Sequence, residues 1–239
     1  MSARDEKAEI RQRVWRRLED ERLAAFPRPI RGRIPNFKGS HEAAARLAEL
    51  PEFQAARAIK VNPDAPQLPV RLRVLQQGKL LMMPTPRLRA GFLLLDPEKL
   101  RQHDLHHAAS IAGASRLAEP IGLDDLPRID LMVVGTVAVT TGGARVGKGE
   151  GYAELEYATL RQLGRVSEDV PIATTVHDVQ IVDDIPVEPF DVPVDIIVTP
   201  TRVLRTQSAL PKPRGILWDL LDPDRLGEMP ILKELRERS

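Results

Sequence analysis

A chain of 239 residues with 42% hydrophobic content can bury one large core or two small ones, which excludes wholesale disorder. The absence of cysteine excludes disulfides, thiolate metal sites and cysteine nucleophiles. The 35 basic and 34 acidic residues nearly cancel, which argues against a general nucleic-acid binder, while the charged first residues and the lack of any apolar run near the ~20 residues of a membrane span point to a soluble, cytoplasmic protein.

Residues 5–25 space Ile10, Val14, Trp15, Leu18 and Leu23 among charges as an amphipathic helix does. Phe26 to Ser40, with Pro27, Pro29, Pro35 and two glycines, reads as an ordered extended connector, and His41–Leu50 as an Ala-rich helix stopped by Pro51. Six short apolar runs then predict strands at 57–61, 79–83, 92–95, 129–134, 172–176 and 194–199. Helix-like stretches at 68–77 and 150–163 lie between them. That alternation predicts an α/β class with a parallel sheet covered by helices on both faces, and near-continuous runs such as Leu131-Met132-Val133-Val134 fit strands buried on both sides. The chain divides into an N-terminal helix with its Pro-rich connector, 1–40, packed on an α/β domain, 41–239.

Charge is unevenly placed. Arg and Lys crowd the stretch up to Lys38, whereas 166–201 has neither and accumulates Glu168, Asp169, Asp178, Asp183, Asp184, Glu188, Asp191 and Asp195. The two ends read either as halves of one site, cations for phosphate and carboxylates for a metal ion, or as ordinary surface charge. Between them, Gly135 to Tyr152 follows a buried strand, carries Arg145 and Lys148 among glycines, and enters a predicted helix. Such a loop suits phosphate, because glycines let backbone amides approach closely and the helix N-terminus adds partial positive charge. The order Gly142-x-x-x-x-Gly147-Lys148 has Gly149 where a P-loop needs Ser or Thr, so it is not one. Lys7 and Arg11, four apart, share a helix face that reaches phosphates or is merely solvated. His103, His106 and His107 read as a surface cluster rather than a zinc site. No Gly-x-Ser-x-Gly elbow supports acyl-hydrolase chemistry.

Arg145-Val146-Gly147-Lys148-Gly149-Glu150-Gly151-Tyr152 resembles the Arg-Leu-Gly-Arg-Gly-x-Gly-Tyr-Tyr-Asp signature of the 5-formyltetrahydrofolate cyclo-ligase, or methenyltetrahydrofolate synthetase, family. Val133 to Ala138, Val176 to Gln180 and Val187 to Asp195 are similar to further family motifs. Phe26 to Pro29, Arg33 to Gly39, Pro84 to Arg89, Gly147 to Tyr157 and Thr199 to Val203 resemble its divergent methenyltetrahydrofolate synthetase domain-containing branch. The resemblance implies a three-layer α/β/α fold with a mainly parallel sheet. It implies conversion of 5-formyltetrahydrofolate and ATP to 5,10-methenyltetrahydrofolate, ADP and phosphate with Mg2+. Carried over by position, Lys7, Arg11, Arg145, Gly147, Lys148, Gly149 and Gly151 would bind ATP, with Arg145 and Lys148 catalytic. Asp64 and Tyr152 would contact the folate, and Glu154 and Asp191 would hold the metal. Glu154 stands near the place of a family Asp on a longer arm, Asp64 takes the place of a family Glu, and Phe190 replaces a polar residue. The implied partner is a small folate, for a monomer or homodimer, with no nucleic acid and no membrane. The alternative is a non-catalytic or differently specific nucleotide-binding member of the fold, with an RNA or protein-interaction role.

Overall fold

The short apolar runs assemble, in a computed structural model that describes residues 2–238, into one sheet. In chain order the strands are β1 (Ala58–Val61), β2 (Leu80–Pro84), β3 (Phe92–Leu95), β4 (Glu119–Ile121), β5 (Leu131–Val133), β6 (Ala138–Thr140), β7 (Arg145–Val146), β8 (Ile172–Thr175), β9 (Ile181–Val182), β10 (Ile196–Val198) and β11 (Val203–Arg205). The helices are α1 (Ala3–Asp20), α2 (Ser40–Ala48), α3 (Pro51–Ala55), α4 (Leu68–Gln76), α5 (Leu105–Ala108), α6 (Ile111–Leu117), α7 (Tyr152–Gln162), α8 (Pro223–Glu228) and α9 (Pro230–Glu237). Among the described residues the main sheet has the order β11-β10-β8-β5-β1-β2-β3-β4. Its centre, β10, β8, β5, β1 and β2, is parallel throughout. The edges turn antiparallel, β10 to β11 and β2 to β3 across short connections, and β3 to β4 across a longer one that carries α5 and α6.

Alternation along the central strands sorts side chains onto two faces. Ile59, Val61, Leu131 and Val133 pack with α1, α2, α4 and α6 on one side. Ala58, Met132 and Val134 pack with Tyr157 and Leu160 of α7 and with Ile231, Leu232 and Leu235 of α9 on the other. The result is the three-layer α/β/α arrangement that the sequence predicts. Among the described residues no helix is long and apolar enough to cross a membrane.

Three differences from the sequence reading have local causes. First, α1 ends at Asp20 rather than near Ala25. Arg22 takes a positive φ of 56°, and the backbone of Leu23 to Ala25 then pairs with Asn36 to Lys38 of the connector instead of continuing the helix. The connector is correspondingly ordered: Trp15 Nε1 donates to the Arg33 carbonyl at 3.0 Å, and Ile30, Ile34 and Phe37 are buried. Second, the glycine-rich stretch after β5 is not one loop. It holds the β6–β7 hairpin, joined to β9 in a small three-stranded sheet, because Val137 and Val139 are apolar enough to be buried between the glycines. Third, α8 and α9 extend the fold past Arg205. Each begins with a proline in its first turn, which is favourable at a helix start but reads as a break in a sequence scan.

Candidate active site

The carboxyl ends of adjacent parallel strands β1 and β5 open towards the same edge, and the chain leaving each is fixed by buried polar groups. Beyond β1, Arg71 of α4 donates to the carbonyls of Asn62 at 2.7 Å, Asp64 at 2.9 Å and Ala109 at 2.7 Å. Arg71 is fully buried, and desolvation lowers its pKa to about 10. This turn presents the half-buried Asp64. Burial holds the Asp64 carboxyl above its usual range against the opposing charges of Lys148, Arg71 and Lys60. Beyond β5, Gln180 donates through Nε2 to the carbonyls of Thr136 at 3.0 Å and Val137 at 3.1 Å. Thr174 Oγ1 donates to the Val134 carbonyl at 2.8 Å.

Gly135 brings these two ends together. A Cβ at this position would stand 2.6 Å from Asp64 Oδ2 and 3.0 Å from Ile34 Cγ1. Gly135→Ala is therefore expected to displace Asp64 and to destabilise the fold by about 1–3 kcal/mol. Denaturant unfolding checks this, and a midpoint equal to that of the parent would contradict it.

The hairpin returns Arg145 to the same point. Its Nη1 donates to the Gly135 carbonyl at 2.8 Å, its Nη2 pairs with Glu154 of α7, and its buried Nε has no partner among the described residues. The loop from Gly147 to Gly151 then leads into the N-terminus of α7. Arg11, from α1, donates through Nε to the Gly147 carbonyl at 2.7 Å. Gly149 has a φ of +104°, a conformation that side chains resist, and a Cβ there would lie 3.4 Å from the Arg11 guanidinium. Lys148 Nζ lies 2.6 Å from Glu150, and its side chain remains one-third exposed.

The basic and acidic ends of the chain do meet. Lys7 occupies the buried stripe of α1 that continues through Ile10, Val14 and Leu18. Its ammonium sits 2.6 Å from both Glu188 and Asp191 and 5.5 Å from the Phe190 ring centroid. Asp191 Oδ2 also accepts from the Glu188 backbone N–H at 2.7 Å. Burial raises the Asp191 carboxyl above its ordinary value, and Lys7 acts against that rise. Thus Lys7 and Asp191, expected on separate ligand groups, are bonded directly to each other here.

Lys7, Arg11, Arg145, Gly147, Lys148, Gly149, Gly151, Glu154 and Asp191 all line one cavity of about 570 Å³, within the size range of small-molecule sites. Asp64 and Tyr152 stand apart from it. They line an adjoining pocket of about 50 Å³ that shares Arg145, Gly147, Lys148, Gly151 and Glu154 with the larger one. Two adjoining pockets with part of their lining in common therefore flank the loop. Among the described residues no three His or carboxylate side chains converge as a ready metal cage, and His106 and His107 are exposed. The side chain of His103 lies outside the described residues.

Sequence reasoning missed the support beneath the smaller pocket. Lys60, on the α7 face of β1, donates to Asn62 Oδ1 at 3.1 Å and pairs with Glu156, which also accepts from Asn62 Nδ2 at 2.9 Å. All three are buried, and desolvation raises the Glu156 carboxyl. The available signal was a lysine inside the apolar run Ala58-Ile59-Lys60-Val61. Glu188, the second partner of Lys7, was named only within the acidic stretch and not singled out as a site residue.

A doubly covered parallel sheet with a glycine loop carrying Arg145 and Lys148 beyond the carboxyl ends of its strands defines an α/β protein whose cavity lies at that edge. The chain belongs to the 5-formyltetrahydrofolate cyclo-ligase family, whose model matches residues 3–200. It is 48% identical over 237 residues to the mouse (Mus musculus) methenyltetrahydrofolate synthase domain-containing protein, an alignment covering 97% of this chain and 63% of that protein. The chain thus spans somewhat under two-thirds of that relative's length. It is 26% identical over 133 residues to a Mycolicibacterium smegmatis 5-formyltetrahydrofolate cyclo-ligase, covering 54% of this chain and 64% of that one. Its fold is similar to the NMR structure of Aquifex aeolicus 5,10-methenyltetrahydrofolate synthetase, with a TM-score of 0.54 at 22% identity over 85% of this chain and 94% of that one.

Proposed function

We propose that the chain is an ATP- and Mg2+-dependent cyclo-ligase that converts 5-formyltetrahydrofolate to 5,10-methenyltetrahydrofolate, releasing ADP and phosphate. The observation that carries this reading is the pair of adjoining pockets that share Arg145 and Lys148 in their linings, because phosphoryl transfer between two bound molecules needs them on either side of common cations. The larger chamber takes ATP. Arg11 spends Nε on the Gly147 carbonyl and keeps its terminal N–H groups for phosphate, and Lys148 leaves Glu150 for the same ligand. The loop amides and the N-terminus of α7 add partial positive charge. Lys7 borders the phosphate end while bound to Glu188 and Asp191. Of the folate, only the formyl group enters the smaller pocket, whose volume of about 50 Å³ holds no more, with Asp64 as polar contact and Tyr152 as wall.

In this arrangement the formyl oxygen attacks the γ-phosphorus and ADP leaves. N10 then attacks the activated carbon and phosphate departs. Arg145, held at the Gly135 carbonyl, and Lys148 neutralise charge that develops between the chambers.

The donor chemistry fits a magnesium ion held largely by phosphate oxygens. Asp191 is bonded through Oδ2 and Glu154 through Oε1, so each keeps one carboxylate oxygen to which no described residue donates. Magnesium prefers one or two carboxylates with water and phosphate oxygens, and when bound it would neutralise the phosphate charge. Glu154→Gln is therefore expected to raise the magnesium requirement of the reaction roughly tenfold. A magnesium titration of turnover checks this, and an unchanged midpoint would remove Glu154 from the metal site.

A further inference from the structure

Beyond residue 200, where the family match ends, the chain crosses to the larger chamber and runs along α7 in the opposite direction. The crossing is fixed at both ends. The Ile216 backbone N–H donates to Gln162 Oε1 at 3.2 Å, at the C-terminal end of α7. The Arg225 guanidinium lies over the Tyr152 ring at 4.9 Å, at its N-terminal end. Tyr152 and Gln162 are the first and last residues of α7, so these anchors lie about 15 Å apart along its axis.

The strap between the anchors presents Ile216, Leu217, Leu220 and Leu221 to the chamber, opposite Leu155 and Ala158 of α7. Leu217 and Leu220 are 37% and 56% exposed, so they turn apolar surface to the cavity that they line. The glycine loop and its ion-paired cations, Arg145 with Glu154 and Lys148 with Glu150, gather at the N-terminal end of α7. The chamber therefore joins a polar, ion-paired end to an apolar wall along the strap.

Resting on the nucleotide reading above, we propose that this strap is the base subsite: the purine ring of the nucleoside triphosphate lies against Leu217 and Leu220 while its phosphates reach the loop. One ligand with polyanionic and flat apolar ends matches both ends of the chamber. The strap thus determines which phosphate compounds bind, a task the cationic loop cannot perform because it meets only phosphate.

The test is calorimetry on the full chain with ATP and, separately, with inorganic tripolyphosphate, each with Mg2+. The variant is Leu217→Ser with Leu220→Ser, two exposed positions whose change leaves the core intact. The double variant is expected to bind ATP about tenfold more weakly and tripolyphosphate within about twofold of the parent. Unchanged ATP affinity, or an equal loss for both ligands, overturns the base subsite. So does a parent chain that binds tripolyphosphate as tightly as ATP. A parent that binds neither ligand overturns the nucleotide reading itself and this inference with it, so the two failures are distinguishable.

Discussion

Replacing Lys60 with methionine is expected to destabilise the fold by about 3–5 kcal/mol, the scale for leaving one member of a buried ion pair alone. The side chain is fully buried on β1, and its loss removes the cation from Glu156, whose carboxylate is buried beneath α7. Asn62 would remain as the only described donor to that carboxylate. The pH dependence follows from the sign of the shift. Burial already raises the Glu156 pKa above its unfolded value near 4.5, and losing Lys60 raises it further. A carboxyl raised in the folded state favours folding below the unfolded pKa, and that contribution is lost as pH rises through the folded value. The variant should therefore be closest to the parent in acid and fall further behind towards neutrality. Chemical unfolding at several pH values checks this. A penalty that is small, or largest in acid, would mean that the pair is not buried as described. Lys60→Met combined with Glu156→Leu is expected to recover much of the loss, because an apolar pair leaves no orphaned charge.

The second large effect falls on Arg11. Arg11→Ala is expected to weaken ATP binding roughly 100-fold, from one charged hydrogen bond that holds the loop and at least one more to phosphate. The loop contribution is specific: the Nε–H to the Gly147 carbonyl at 2.7 Å fixes a turn whose next glycine, Gly149, has a positive φ and lies against the guanidinium. Arg11→Lys keeps the charge without the planar fork, so it should recover only part of the affinity. Calorimetry with ATP measures both, and full recovery by lysine would reduce the role of Arg11 to charge alone.

Much of the architecture was legible because the central strands are buried on both faces. Runs such as Leu131-Met132-Val133 have no polar interruption, and all six predicted strands fall in the sheet within two residues at each end, with Ile129 and Asp130 serving as the approach to the strand predicted at 129–134. The β6–β7 hairpin was not legible, since three-residue and two-residue strands among glycines carry too little periodicity to separate from a loop. The Pro-started helices α8 and α9 were hidden for the reason already given. In the site, the cations and glycines named from the motif do line one cavity. What a linear reading cannot supply is partnership. Lys7 and Asp191 lie 184 residues apart, and only the fold makes each the other's counter-ion. The same holds for Lys60 and Glu156, 96 residues apart, and for the Leu217 and Leu220 wall, which is an ordinary leucine pair until α7 stands opposite it.

The central claim is that the two chambers carry out one phosphoryl-activated ring closure. The most direct measurement is the appearance of 5,10-methenyltetrahydrofolate by its absorbance, with 5-formyltetrahydrofolate, ATP and Mg2+, beside a control without ATP. Product is expected with ATP present and none in the control. A chain that binds ATP by calorimetry and yet yields no methenyl product from this folate would contradict it.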